Sequence, residues 1–270
     1  MSERKLIGAT PAPRTRQGLA DDLRRLGLEP GMTVTVHSSL RSIGWVCGGP
    51  VAVVQALMDA VTESGTLVMP TQSTDLSDPA GWGNPPVPER WWKTIREEMP
   101  AYDPHTTPTR GMGQIVETFR TWPGTLRSSH PQLSFAAWGG HAEFVVGNHP
   151  LDYPLGESSP LARVYELDGW ILLLGAGHES NTSFHLAEYR VPGARQTTSR
   201  APVVENGRRV WKNYKDIDLN KEPFSGIGAE LEASETVKSS RVGSAVSRLL
   251  RQRLAVDFAE AWMRRHQKQI

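Results

Sequence analysis

Residues 168–190 limit what this chain can fold into more than any other stretch. Trp170 to Leu174 is an apolar run between glycines, too short for a helix and suited to a buried strand. Gly175 and Gly177 let the backbone turn sharply, Asn181 or Thr182 can cap a helix, and Phe184 to Arg190 reads as that helix. In open α/β sheets such strand–turn–helix junctions lie at the carboxyl ends of the strands, where ligands bind.

The junction is crowded with polar groups: His178, Asn181, Thr182, His185 and Glu188. His185 and Glu188 are spaced to share one helix face. A carboxylate beside an imidazole orients the ring and stabilises its charged form, which suits a general base. The plainer alternative is a half-buried helical histidine.

A second junction of the same kind lies earlier. Thr33 to Val36 is a short β-branched strand that runs into His37-Ser38-Ser39-Leu40, then Gly44 and Gly48-Gly49-Pro50, then a helix from Val51 to Thr62. Hydroxyls and free backbone N–H groups at a helix start suit an anion. Neither a Walker loop nor the dinucleotide glycine pattern is present, so a plain βα loop remains the competing reading.

From Gln72 to about Thr109 the chain is rich in Pro, Asp, Trp and Gly, including Asp75, Asp78 and Trp91-Trp92. Loops this long are functional or disordered, and the tryptophans argue against disorder. Carboxylates and aromatic faces suit a cationic amine or amino-sugar. A short helix is expected over Glu89 to Glu98. Further on, Asn206-Gly207 marks a hairpin between Ala201–Val204 and Arg209–Tyr214. Asp216 and Asp218 then have the spacing of one strand face. Residues 236–243 read as a turn, and 245–253 and 257–266 as helices.

Composition limits the alternatives. With 30 basic and 29 acidic residues in 270, no global charge favours nucleic acid or an anionic membrane. A single cysteine, Cys47, excludes an internal disulfide and a cysteine-rich metal site. No apolar run reaches membrane-spanning length, so a soluble, cytoplasmic protein is expected.

The run Gly175-x-Gly-His-x-x-Asn-Thr-Ser-x-His-Leu-Ala-Glu188 resembles the signature of the aminoglycoside N3-acetyltransferase family. Four other blocks fit in order: His37-Ser38-Ser39-Leu40, Thr107-Pro-Thr-x-x-Met-Gly-x-x-x-Glu117, Arg127-Ser-x-His-Pro-x-x-Ser134-Phe135, and Asp257 to Trp262. The likeness runs from about Leu23 to Trp262. It implies an α/β fold, three-layer α/β/α around a mostly parallel central sheet, with an added C-terminal β-hairpin and helices. One domain over residues 1–270 is expected, with the loop at about 72–109 as an acceptor-side insertion.

The resemblance further implies direct acetyl transfer from acetyl-CoA, without a metal, to the 3-amino group of a 2-deoxystreptamine aminoglycoside. His185 would be the base, oriented by Glu188, Asp216 or Asp218. CoA contacts are expected from Ser38, Ser39, Leu40, Thr71, Arg127, Ser134 and Phe135. Acceptor contacts are expected from Asp75, Asp78, His178, Glu188 and Asp216. A monomer or homodimer is expected, with no nucleic-acid partner. The alternatives are a family member acting on another amine, such as an amino-phosphonate, a Ser/His acyl-CoA hydrolase using Ser38 or Ser183, and a non-catalytic CoA- or amine-binding module.

Overall fold

Two adjacent parallel strands carry the two junctions. In the computed structural model, which describes residues 3–266, β1 (Thr33–Ser38) lies between β2 (Thr66–Pro70) and β5 (Trp170–Leu174) and runs parallel to both. Toward the edges the pairing turns antiparallel. On one side are β4 (Phe135–Gly139) and the short β3 (Leu126–Arg127). On the other are β9 (Ala245–Arg251) and β8 (Lys238–Val242). The order across the sheet is β3-β4-β2-β1-β5-β9-β8.

Helices cover both faces, which is why β5 is apolar at every position rather than at alternate ones. Leu172 and Leu174 enter the core formed with the helices Arg16–Leu26 and Gly49–Val61. Ile171 and Leu173 point the other way, into the core formed with Ser183–Arg190, Phe224–Ala233 and Gln252–His266. This is the expected layered α/β fold, but its parallel part is confined to the two central pairings where the junctions sit, and the four pairings toward the edges are antiparallel.

One segment departs from its sequence reading. Residues 238–251, expected as a turn and a helix, form the β8–β9 hairpin that closes one edge of the sheet. Alternating burial explains it: Ala245, Ser247 and Leu249 face inward, while Val246 is exposed. Arginines interspersed at helical spacing masked this period-two pattern.

The other hairpin, β6 (Gln196–Glu205) with β7 (Arg208–Ile217), forms a separate two-stranded sheet. The long loop packs against it. Tyr102 N donates to Pro202 O at 3.1 Å, and Trp211 Nε1 to Arg96 O at 2.5 Å. Asp78 caps a turn at Ala80 N and pairs with Arg96 at 2.6 Å and Arg200 at 3.6 Å. The Arg96 guanidinium holds the Asp78 carboxyl below its usual range. The same region contains the expected short helix, a 3-10 turn at Glu89–Trp91 followed by Trp92–Glu98.

Arg127 anchors the loop from beneath. It donates to Thr107 O at 2.5 Å, Thr71 O at 2.7 Å and Ser73 Oγ at 2.9 Å. Its Nε faces Ser134 Oγ at 3.1 Å and Thr71 Oγ1 at 3.2 Å. Replacing Arg127 by Met should lower stability by roughly 2–4 kcal/mol in chemical denaturation, because several buried acceptors lose their donor together.

Two buried histidines lie nearby. His130 Nδ1 accepts from Leu133 N at 2.9 Å and Gln132 N at 3.2 Å, so Nε2 carries the proton and donates to Leu151 O at 3.2 Å. His149 Nε2 donates to Pro154 O at 2.7 Å, and its Nδ1 accepts from Ser128 Oγ at 2.9 Å. Phe135 N already donates to that hydroxyl oxygen, which leaves the Ser128 proton for His149. Neither ring has room for a second proton. Burial lowers the His130 pKa to about 3 and that of His149 to about 4. The unfolded chain therefore takes up these protons first as pH falls below the ordinary histidine value. Stability should drop between about pH 6.5 and 4, by about 1.4 kcal/mol per pH unit for each histidine. Denaturation curves across that range should show the slope, and His149→Gln should reduce it.

Candidate active site

The carboxyl ends of β1 and β5 are in register, with His37 opposite Leu173 and Ser38 opposite Leu174. Ser39 N donates to Leu174 O at 3.0 Å and extends the pairing one step past the strands. The chain after β5 must then turn through a tight space. Gly175 has φ +66°, and a Cβ there would lie 2.7 Å from Ser42 Cβ and 2.9 Å from Ala245 Cβ. A single turn at His178–Ser180 follows, and then the helix Ser183–Arg190.

The front of that helix presents His185 to a narrow cleft of about 310 Å³. Its lining includes His37 and Ser38 from the end of β1, Asn181 and Thr182 from the turn before the helix, and Gln72, Gly111, Met112, Lys221 and Phe224. The His185 ring packs edge-on against Phe224, with centroids 4.8 Å apart. Its Nδ1 is hydrogen-bonded to Glu188 Oε2, and Glu188 Oε1 accepts from Asn220 N at 2.8 Å. The side chains are 15% and 11% exposed, so the pair is shielded while still reaching the cleft. A carboxylate only accepts, so Nδ1 carries the hydrogen. In the neutral ring Nε2 then has the free lone pair.

His37 stays neutral beside it: burial, reinforced by His185, lowers its pKa to about 3. Three buried atoms of residues in the cleft lining have no hydrogen-bond partner: His37 Nε2, Ser38 Oγ and Asn181 Nδ2. Ser38 therefore lacks the histidine partner that a nucleophile would need. Ser183, the other serine considered, is fully buried, and Gln252 Nε2 donates to its hydroxyl at 3.2 Å. Neither serine has the pairing of an acyl-enzyme nucleophile.

Two further hollows lie on the surface of the same chain segments. A groove of about 540 Å³ shares Ser38, Gly111 and Met112 with it and runs along Ser39, Leu40 and Arg41 beneath the helix Glu3–Ala9. A hollow of about 810 Å³ is lined by Glu188, Arg195, Asp218, Asn220 and Glu222. Carboxylates outnumber the one guanidinium there.

The expected site residues divide into two groups. His185 and Ser38 line the cleft, Ser38, Ser39 and Leu40 line the groove that shares Ser38 with it, and Glu188 lines the larger hollow. Thr71, Ser134 and Phe135 are fully buried, and the donors of Arg127 are turned onto the loop. Arg127 itself is half-buried, and none of the four lines the cleft or the groove. Asp78 is held by two arginines and Asp75 stands exposed on the loop, outside the cleft lining.

His178 packs inward. Its ring stacks on Phe184, with centroids 5.8 Å apart, and its Nε2 lies 3.1 Å from Glu232 Oε1. A Cβ on Gly228 would overlap the ring. The two aspartates expected on one strand face are separated by the end of β7 at Ile217. Asp216 is buried, accepts from the Tyr189 hydroxyl and from Ile217 N at 2.8 Å, and has its pKa raised by burial. Asp218 is 61% exposed, 3.9 Å from Arg195. Residues the sequence reading left unassigned, Gln72, Met112, Lys221 and Phe224, reach the cleft from segments that only the fold brings together.

Comparison with known proteins follows the same outline. A family profile described as aminoglycoside 3-N-acetyltransferase matches residues 35–264. The chain is 55% identical to the SPbeta prophage-derived aminoglycoside N(3')-acetyltransferase-like protein YokD of Bacillus subtilis (strain 168), over 96% of each chain. It is 38% identical to aminoglycoside N(3)-acetyltransferase VII of Streptomyces paromomycinus, covering 97% of this chain and 96% of that one. Its fold superposes on that of AAC-IIIb in binary complex with CoASH with a TM-score of 0.85 at 34% identity, covering 94% and 98% of the two chains.

Gly175→Ala should distort the turn that aims the helix Ser183–Arg190. A loss of stability of about 1–3 kcal/mol is expected from the strained backbone, read as a lower thermal midpoint.

Proposed function

This chain belongs to the aminoglycoside 3-N-acetyltransferase family, and on that premise we propose how it works as an acetyl-CoA-dependent acyltransferase. The acceptor is a primary amine of an aminoglycoside, acetylated at the 3-amino group of 2-deoxystreptamine. His185 is the general base. The observation that carries this reading is the His185–Glu188–Asn220 chain of hydrogen bonds, which leaves Nε2 as the free nitrogen of a ring lining the cleft.

An ammonium group has no lone pair with which to attack a thioester. Nε2 of His185 takes one proton from it and releases that proton to solvent, and the free amine nitrogen then bonds to the acetyl carbon. Nε2 takes a second proton from the nitrogen, which has become positively charged. The carbon–sulfur bond breaks, the CoA sulfur leaves with the electron pair, and the second proton passes from Nε2 to that sulfur. Glu188 stabilises the imidazolium while it exists. No acyl-enzyme is required, in keeping with the unpaired Ser38.

The groove along Ser39, Leu40 and Arg41 suits the pantetheine arm, since it opens into the cleft at Ser38. The carboxylates of Asp218 and Glu222 suit a polycationic acceptor in the larger hollow. That AAC-IIIb binds CoA supports the donor, and the name of the Streptomyces relative supports the acceptor. A second acceptor class has one observation in its favour. Lys221 lines the same cleft as His185, which suits an amine bearing an anionic group, such as an amino-phosphonate.

Thiol release from acetyl-CoA against a panel of aminoglycosides and amino-phosphonates, with mass spectrometry of the products, tests the reading. A mass gain of one acetyl group on an aminoglycoside is expected. Gain only on amino-phosphonates favours the second class, and CoA release without acetylated product contradicts both. His185→Ala should lower kcat by roughly 10²–10⁴-fold, with the Kd for CoA little changed. Glu188→Gln, which keeps the shape and loses the charge, should give a smaller fall in kcat.

A further inference from the structure

The cleft lining around His185 contains an anomaly. His37 Nε2, Ser38 Oγ and Asn181 Nδ2 are all buried and all unpaired. A buried polar group without a partner is costly, so such groups in a native fold call for an explanation. Here all three residues line the same cleft, and a bound ligand explains the set.

The three differ in what they reveal about that ligand. A hydroxyl rotates and both donates and accepts, and an imidazole changes role with its tautomer. An amide nitrogen only donates. The orientation of the Asn181 amide is fixed by chemistry, because Ser183 N donates to Oδ1 at 3.3 Å. Turning the amide over would set two donors against each other. The backbone is pinned as well: Asn181 N donates to His178 O at 2.9 Å, and Asn181 O accepts from Phe184 N at 3.1 Å. Asn181 is fully buried, so its donor is shielded from water.

We infer that Asn181 is a further catalytic residue, whose Nδ2 donates a hydrogen bond to the acetyl carbonyl oxygen of the thioester. This rests on the acetyl-transfer reading above. As the amine nitrogen bonds to the carbonyl carbon, the C=O π pair moves onto oxygen, and negative charge grows there. Asn181 faces that charge with a neutral, pre-oriented donor. When the C–S bond breaks, the pair returns to re-form the carbonyl. Asn181 gains and loses no proton. His185 follows one turn later, its N–H donating to Thr182 O at 3.0 Å, so base and donor serve one cleft from one short segment. A donor in a shielded site is worth more than in water, and removing one such donor typically costs about 10²–10³-fold in kcat.

Two variants and one spectrum test this. Asn181→Asp keeps the oxygen that accepts from Ser183 N and replaces the donor with an acceptor. Asn181→Ala removes the donor without adding charge. Both should lose roughly 10²-fold or more in kcat while the Kd for CoA stays within about twofold. The infrared carbonyl stretch of acetyl-CoA labelled with carbon-13 at the carbonyl should lie at lower wavenumber bound to the wild-type protein than in water. That measurement needs no acceptor amine, so it stands even if the panel above identifies none, and it still decides if either variant does not fold. Near-normal turnover in either folded variant, or a bound carbonyl stretch no lower than in water, overturns the inference.

Discussion

Glu188 is the fixed point of the site. One oxygen holds Nδ1 of His185 and the other accepts from Asn220 N at 2.8 Å. The carboxylate thus ties the helix after β5 to the chain that follows β7, a segment 32 residues away in sequence. Without it the ring would be free to adopt the other tautomer, and the lone pair would turn away from the cleft. The position of the His185 ring and that of the chain at Asn220, next to Lys221, are both tied to this carboxylate.

The rest of the fold serves that geometry. Parallel β1 and β5 end side by side, so two junctions far apart in sequence form one cleft. The apolar layers on both faces make the strand ends rigid. Arg127 and Asp78 tie down the long loop, which would otherwise be free to swing. His178, buried against Phe184 and Glu232, packs the helix Phe224–Ala233 behind the site. Several polar residues that look functional in sequence are thus part of its support.

Local patterns could be read directly. The apolar run of β5, the Gly175 turn and the three-residue spacing of His185 and Glu188 are all properties of neighbouring residues, and all appear as expected. The β8–β9 hairpin was hidden because arginines at helical spacing overlay an alternating pattern. The direction of Arg127 was hidden for a different reason: its acceptors at Thr71, Ser73 and Thr107 come from distant chain segments. Asp216 and Asp218 looked paired until the strand ended between them. Lys221 and Phe224 carry no motif of their own, and only the packing of the Phe224–Ala233 helix brings them to the cleft.

The central claim is the tautomer of His185. Nitrogen-15 NMR of histidine-labelled protein, with His185 assigned by its absence in a His185→Gln variant, reads it directly at neutral pH. The account predicts a protonated Nδ1 and a bare, pyridine-like Nε2. A hydrogen found on Nε2 with Nδ1 bare would contradict it, since the ring's lone pair would then face Glu188 rather than the incoming amine.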